Sequence, residues 1–334
     1  MARSSEPRAS PFSAAGGAAP LLVLLVAVAG AFSLASPQFL TSANFDSMGF
    51  QLPELGLLTL AMLVPIVSGG FNLAIIATAN LSGLTLAFIL NRAGGPEAGP
   101  LAFALGCAAA LAVGTLSGAM MGAVIAYLGA HPILASLAMM IFLKGLGEYL
   151  THGGDISGFP DFLHALGHGY WLGVPAPMWL FAAAAVGWTL LLSHTRHGFA
   201  VRMIGSNERA AAYSGLATKR TVTLVYALSG AMCALAGVLM LTRFNSVRVG
   251  HGEALLLVTV LACFLGGVDP FGGFGRVEPV VVALLILQAL SSGLNLVGAN
   301  QHLSTAVWGL FLVAVMMLRL LGPRLSALQR TKKE

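Results

Sequence analysis

The chain has 334 residues, of which 17 are Lys or Arg and 12 are Asp or Glu. Charged residues make up 9%, against about 25% in soluble domains, while the AVILMFWYC set reaches 57% and mean hydropathy is +0.87. These values exclude a soluble globule, whose surface needs more charge, and a disordered chain, which is poor in apolar residues; they specify an all-α polytopic membrane protein.

At about 20 apolar residues per span, eight to ten transmembrane helices fit. Ten apolar segments are read, at 18–36, 50–68, 71–90, 100–129, 132–150, 176–193, 221–241, 254–267, 278–298 and 302–321. Residues 1–17 and 322–334 are then tails around one membrane domain, 18–321. The first segment follows Arg3 and Arg8 and is read as an uncleaved span, although Ser33-Leu34-Ala35 would pass as a cleavage site. The second and third segments meet at Ser68-Gly69-Gly70, and the eighth is short. In the fourth, Gly114, Gly118 and Gly122 lie four apart and share one helix face, the pattern of a close helix-packing seam. Pro132 opens the fifth, where a missing N–H costs least. Cys107, Cys233 and Cys263 lie singly in apolar runs and read as small core residues.

Placing both termini in the cytoplasm makes the ten spans alternate. Arg3, Arg8, Arg196, Arg202, Arg209, Lys219, Arg220, Arg276, Arg319, Arg324, Arg330, Lys332 and Lys333 then fall inside, against Arg92, Arg243 and Arg248 outside and Lys144 within a span. This is the positive-inside asymmetry of a membrane protein. The pI near 9.4 is thus a topology signal, and no nucleic-acid partner is expected.

No catalytic residue stands out. The lysines are Lys144, Lys219, Lys332 and Lys333, and none follows a glycine, so the Gly-Lys pair that cradles phosphates in a Walker A loop is absent. Asp161, His164 and His168 have a spacing that would suit a metal on a helix, but an amphipathic loop segment is preferred and no metal is expected. Lys144 and Glu148 form an i, i+4 pair near the outer end of the fifth span. Carboxylates deep in the membrane are read as nearly absent, which argues against an ion-coupled secondary transporter. Neutral polar stripes are the candidate solute path. Gln288, Ser291, Ser292 and Asn295 share one face of the ninth segment, Thr78, Ser82 and Thr85 one face of the third, and Asn72 and Asn80 add amides. Such groups suit a polyhydroxyl solute, with interhelical hydrogen bonding as the competing explanation. In the basic loop 194–220, Asn207 is placed to cap a short helix, Glu208 to complement its dipole, and Gly215 to end it.

Four motifs carry a family resemblance. Thr195 to Gly215 resembles the T-x-x-G-R…I-G-x-N-x-x-A-A-x-x-x-G signature of ribose-type ATP-binding-cassette (ABC) importer permeases. Leu265 to Gly275 is similar to that family's G-G-x-S-x-x-G-G-x-G motif, Ser68 to Leu73 to its S-G-G-I-D-L-S-V-G motif, and Tyr226 to Gly237 to its Y-x-x-S-G…A-G pattern. The chain departs at Asn72, where the family has an acid, at Ala74 and Ile76, after Gly198, where Phe199 stands for Arg, and at Asp269, which stands for Ser. The resemblance implies an ABC importer permease fold in a bacterial inner membrane. It implies a second permease subunit, identical or sister, a cytoplasmic ATPase and a periplasmic or lipid-anchored binding protein. ATP and Mg would sit on the ATPase, with no cofactor on this chain. Gly205, Asn207, Glu208, Ala211, Ala212 and Gly215 would form the coupling helix, and Gly69, Gly70, Gly266, Gly267, Gly272, Gly273 and Gly275 the structural glycine motifs. The expected solute is a monosaccharide, with a nucleoside, polyol or furanosyl signal molecule as the alternative.

Overall fold

The computed structural model describes residues 19–300 and, beyond them, 303, 304, 306–311, 313, 314 and 317. The tails, and nine of the 20 residues of the tenth expected segment, lie outside the described residues.

Among the described residues, seven helices are long and apolar enough to cross a membrane: α2 (Ser42–Val67), α3 (Ile75–Arg92), α4 (Pro100–Leu128), α5 (Pro132–Thr151), α7 (Ala176–His194), α10 (Thr218–Phe244) and α12 (Val277–Leu296). Between them lie the shorter α1 (Ala19–Ala35), α6 (Asp161–His168), α8 (Arg196–Ser206), α9 (Glu208–Tyr213) and α11 (Leu255–Leu265). Pro100 and Pro132 start their helices as the sequence predicts. The second segment begins eight residues earlier than hydropathy indicates, because the polar turn Asn44-Phe45-Asp46-Ser47 is helical.

An apolar helix without a polar face belongs in the interior. In α2, 89% of the spanning window is buried, against 17% in α5, so α2 is the axis and α5 is peripheral. Pro65 removes the N–H that would bond Ala61, and the freed Ala61 carbonyl accepts the Ser229 hydroxyl of α10 at 2.6 Å. Ser229 in turn accepts from Asn72 at 2.8 Å. Trp188 of α7 donates its indole N–H to the Leu60 carbonyl at 2.8 Å.

Helices α4 and α10 meet along the predicted glycine seam. A Cβ on Gly114 would overlap the Gly230 carbonyl, and one on Gly118 the Tyr226 carbonyl. With no hydrophobic drive between helices in lipid, this close approach is what dispersion requires. Helix α1 packs on α12, with the Phe32 ring filling the notch left by Gly293.

One end of the bundle, the hairpin end, carries two small antiparallel ladders. Strand β1 (Ile156–Ser157) pairs with β4 (Ser246–Val247), and β2 (Tyr170–Trp171) with β3 (Val174–Pro175). Leu172 and Gly173 both have positive φ, 53° and 77°, as a tight two-residue hairpin turn demands. The opposite end, the knot end, gathers the segments 68–74, 194–217 and 266–276.

Candidate functional site

After α10 ends, the chain does not cross back as one helix. Residues 245–254 run in from the hairpin end beside α3. Val247 lies by Gly83, and the Asn80 amide donates to the His251 carbonyl at 3.0 Å. Only then does α11 begin. Its 11 residues reach about 16 Å at 1.5 Å per residue, too little for a bilayer core of about 30 Å. The eighth expected span is therefore corrected to a discontinuous one, half turn-rich chain and half helix.

A polar cavity of about 630 Å³ lies between this segment, α2 and α12. Gln51, Glu54, Arg243, His251, Gln288, Ser291 and Asn295 supply its polar wall. A second space of about 350 Å³ shares Gln51, Ser291 and Asn295 and continues past Ser47, Asn44 and Thr41 towards the hairpin end. Leu55, Val258 and Leu287 line the cavity's apolar wall.

Glu54 and Arg243 form an ion pair on this wall, Nη1 to Oε2 2.5 Å, with 7% and 16% of the side chains exposed. Glu54 lies midway along α2, with 12 helical residues before it and 13 after. Phe244 stacks beside it, its ring centroid 4.8 Å from the Arg243 guanidinium carbon and 4.4 Å from the His251 ring. The expected scarcity of carboxylates in the spans has an exception here: a single acid in an apolar run is paired with a base 189 residues away.

The sequence-predicted path residues divide. Gln288, Ser291 and Asn295 line the cavity, and the Gln288 amide donates to Gln51 at 3.2 Å. Ser292 lines the outer space and donates to Asn44 at 2.5 Å. Asn72 is buried as a tie: its amide bonds Ser229, and its carbonyl oxygen accepts from Ala74 N at 3.0 Å. Ser82 is fully buried against the seam, and its Oγ finds no partner among the described residues. Asn80 lines a separate, mostly apolar cavity of about 340 Å³ between α3, α5 and the discontinuous segment. At the rim of that cavity Lys144 pairs with Glu253 at 2.7 Å, not with Glu148 as the i, i+4 spacing predicts. The discontinuous span brings Glu253 to α5, which no local pattern reveals. His164 and His168 stack with centroids 4.4 Å apart on the helix expected as a possible metal spacing, and no group of three His, Cys, Asp or Glu gathers among the described residues.

At the knot end the glycine motifs converge. Gly273 N donates to the Val67 carbonyl at 2.8 Å. A Cβ on Gly205 would overlap Val67 O and Gly273 N; on Gly272, the backbone of Gly69; on Gly70, the Tyr226 hydroxyl, which donates to Phe71 O at 3.2 Å. Gly272 and Gly273 adopt φ of 94° and 85°, a region that favours glycine. Gly266 packs on Val280 and Gly275 on Val67, and Gly267 turns at φ 87°. Asn207 caps α9, its Oδ1 accepting from Ala210 N at 3.0 Å, and Gly215 follows the last turn at φ 79°. Asn207, Glu208 and Ala212 face outward, whereas Gly205 and Ala211 point into the packing.

Residues 44–318 match the family model described as branched-chain amino acid transport system / permease component. The chain belongs to this permease family. It is 31% identical over 297 residues to the L-arabinose transport system permease protein of Escherichia coli, covering 89% of this chain and 88% of the relative. It is 32% identical over 286 residues to the ribose import permease protein of E. coli (84% and 87% covered), and 30% over 307 residues to the autoinducer 2 import system permease protein of Yersinia enterocolitica (89% of each). No solved structure matches it.

The permease is a multi-pass protein of the bacterial inner membrane and a subunit of an ABC importer. Sequence reasoning missed five of its cavity residues, Gln51, Glu54, Arg243, Phe244 and His251. Glu54 alone carried a signal, as an ionisable residue inside an expected span, which is by default a functional hypothesis. Gln51 lies inside the same expected span as an uncharged residue near its start, and the other three sit in what reads as an outer loop.

Proposed function

We propose that this permease imports a monosaccharide or a similar small polyol through the cavity between α2, α12 and the discontinuous span. The observation that carries the reading is that cavity. Its volume falls in the range of about 300–1,000 Å³ for small-ligand sites, its wall offers amides and hydroxyls, and it continues towards the hairpin end through a space that shares Gln51, Ser291 and Asn295 with it. The imports named for the relatives, arabinose, ribose and autoinducer 2, support the same solute size, the last keeping a furanosyl signal molecule as the alternative.

Ten spans with both termini inside accommodate this arrangement. The knot end carries Arg196, Arg202, Arg209, Lys219, Arg220 and Arg276, which supports its place in the cytoplasm. There α9, with Tyr213 92% exposed, is the docking helix for a separate ATPase that holds ATP and Mg. The hairpin end receives a solute-binding protein, and a second permease subunit completes the membrane unit.

Two experiments test the reading. In vesicles holding the assembled importer, Gln288→Leu with Asn295→Leu is expected to cut ATP-driven pentose uptake about tenfold or more, since each lost polar contact is worth about 1 kcal/mol. Wild-type uptake from that double variant rejects the path. Tyr213→Glu with Glu208→Arg changes only exposed positions of α9, so the permease should stay folded while the ATPase no longer co-purifies; retention of the ATPase rejects the docking helix.

A further inference from the structure

We infer that the Glu54–Arg243 pair is the solute-recognition element of the permease and selects an uncharged polyhydroxyl solute; the inference rests on the cavity being the solute path. A buried ion pair is a poor device for stability, because desolvation offsets its attraction and apolar replacements often do as well. This pair sits on the wall of the polar cavity between α2, α12 and the discontinuous span. Its partners come from two elements, Arg243 from the last turn of α10 just before the re-entrant chain and Glu54 from the middle of α2 beside Pro53.

The chemistry matches neighbouring hydroxyls. A guanidinium carries five N–H donors, and an ionised carboxylate only accepts. A vicinal diol donates with one hydroxyl while accepting with the other, so donor and acceptor groups 2.5 Å apart serve it together. Hydrogen bonds to charged groups are also the stronger kind. Gln51, Gln288 and Asn295 extend the same alternation around the wall. The rings of Phe244 and Trp308 supply flat apolar surface for the C–H face of a sugar. Among the described lining residues Glu54 and Arg243 are the charged ones, so the wall carries no net charge. Arg243 is already paired with Glu54, so a carboxylate or phosphate meets no unpaired cation and a cationic solute no unpaired anion among the described lining residues.

The test uses the assembled importer, with its ATPase and binding protein, in lipid vesicles. The double variant Glu54→Gln with Arg243→Gln leaves no lone buried charge, so it should melt near the wild-type temperature. Pentose moved per ATP hydrolysed should fall at least about tenfold. In a second arm the detergent-solubilised importer is melted with a neutral pentose or the corresponding aldonate. The pentose should raise the wild-type melting temperature saturably, the aldonate should not, and neither should affect the double variant. A double variant that moves pentose at the wild-type ratio, or a wild type stabilised equally by the aldonate, overturns the assignment while leaving the transport reading intact. Wild-type vesicles that import no pentose or hexose with ATP overturn the transport reading and the assignment with it.

Discussion

Arg243→Met alone should lower the unfolding free energy of the permease by about 3–5 kcal/mol, because it leaves the Glu54 carboxylate buried without its partner. Glu54→Gln should cost a comparable amount for the converse reason. The signature is non-additivity: removing both charges should cost far less than the sum of the two single changes. Urea unfolding of the detergent-solubilised protein, followed across the four members of the cycle, measures this directly. Additive losses would mean that the two side chains are not in contact in the folded protein. This stability cycle is separate from the transport readout, since a pair that holds the fold and a pair that reads the solute predict the same single variants but different double ones.

Gly205→Ala is expected to destabilise the protein by about 1–3 kcal/mol and to abolish uptake, although the substitution adds one methyl group. That methyl would meet the Val67 carbonyl and the Gly273 amide. Both are backbone, so no rotamer change relieves the overlap, and the Gly273–Val67 hydrogen bond must open. Ala212→Ser, on the exposed side of the adjacent α9, is the contrasting change and should leave melting unchanged. Equal melting temperatures for Gly205→Ala and the wild type would show that the three loops do not pack as described.

What the sequence shows and hides follows from the range of each interaction. Helix starts at Pro100 and Pro132 and the Asn207 cap are set by a few neighbouring residues, so they are legible in the chain. The seam at Gly114, Gly118 and Gly122 is legible because helical period places all three on one face. Gln288, Ser291 and Asn295 are legible as a stripe for the same reason. The pairing of Glu54 with Arg243 is not, since it depends on how α10 leans against α2. Nor is the path of residues 245–254: polar and glycine-rich, they read as an outer loop, and only the Asn80–His251 bond and the Gly83–Val247 contact reveal that they descend beside α3. The substitution of Asn72 for the family's acid finds a local account, because its amide reaches Ser229 and its oxygen accepts from Ala74 N just before α3.

The knot of Gly69, Gly205, Gly272 and Gly273 is made of main chain against main chain, while the outward side chains of α9 take no part in it. If α9 docks the ATPase as proposed, packing and recognition are kept apart: the knot rests on backbone geometry, and the docking surface on side chains of the adjacent helix. Exchanging the exposed residues between Glu208 and Ser214 for those of another permease should redirect the chain to that permease's ATPase, with the interior machinery left as it is.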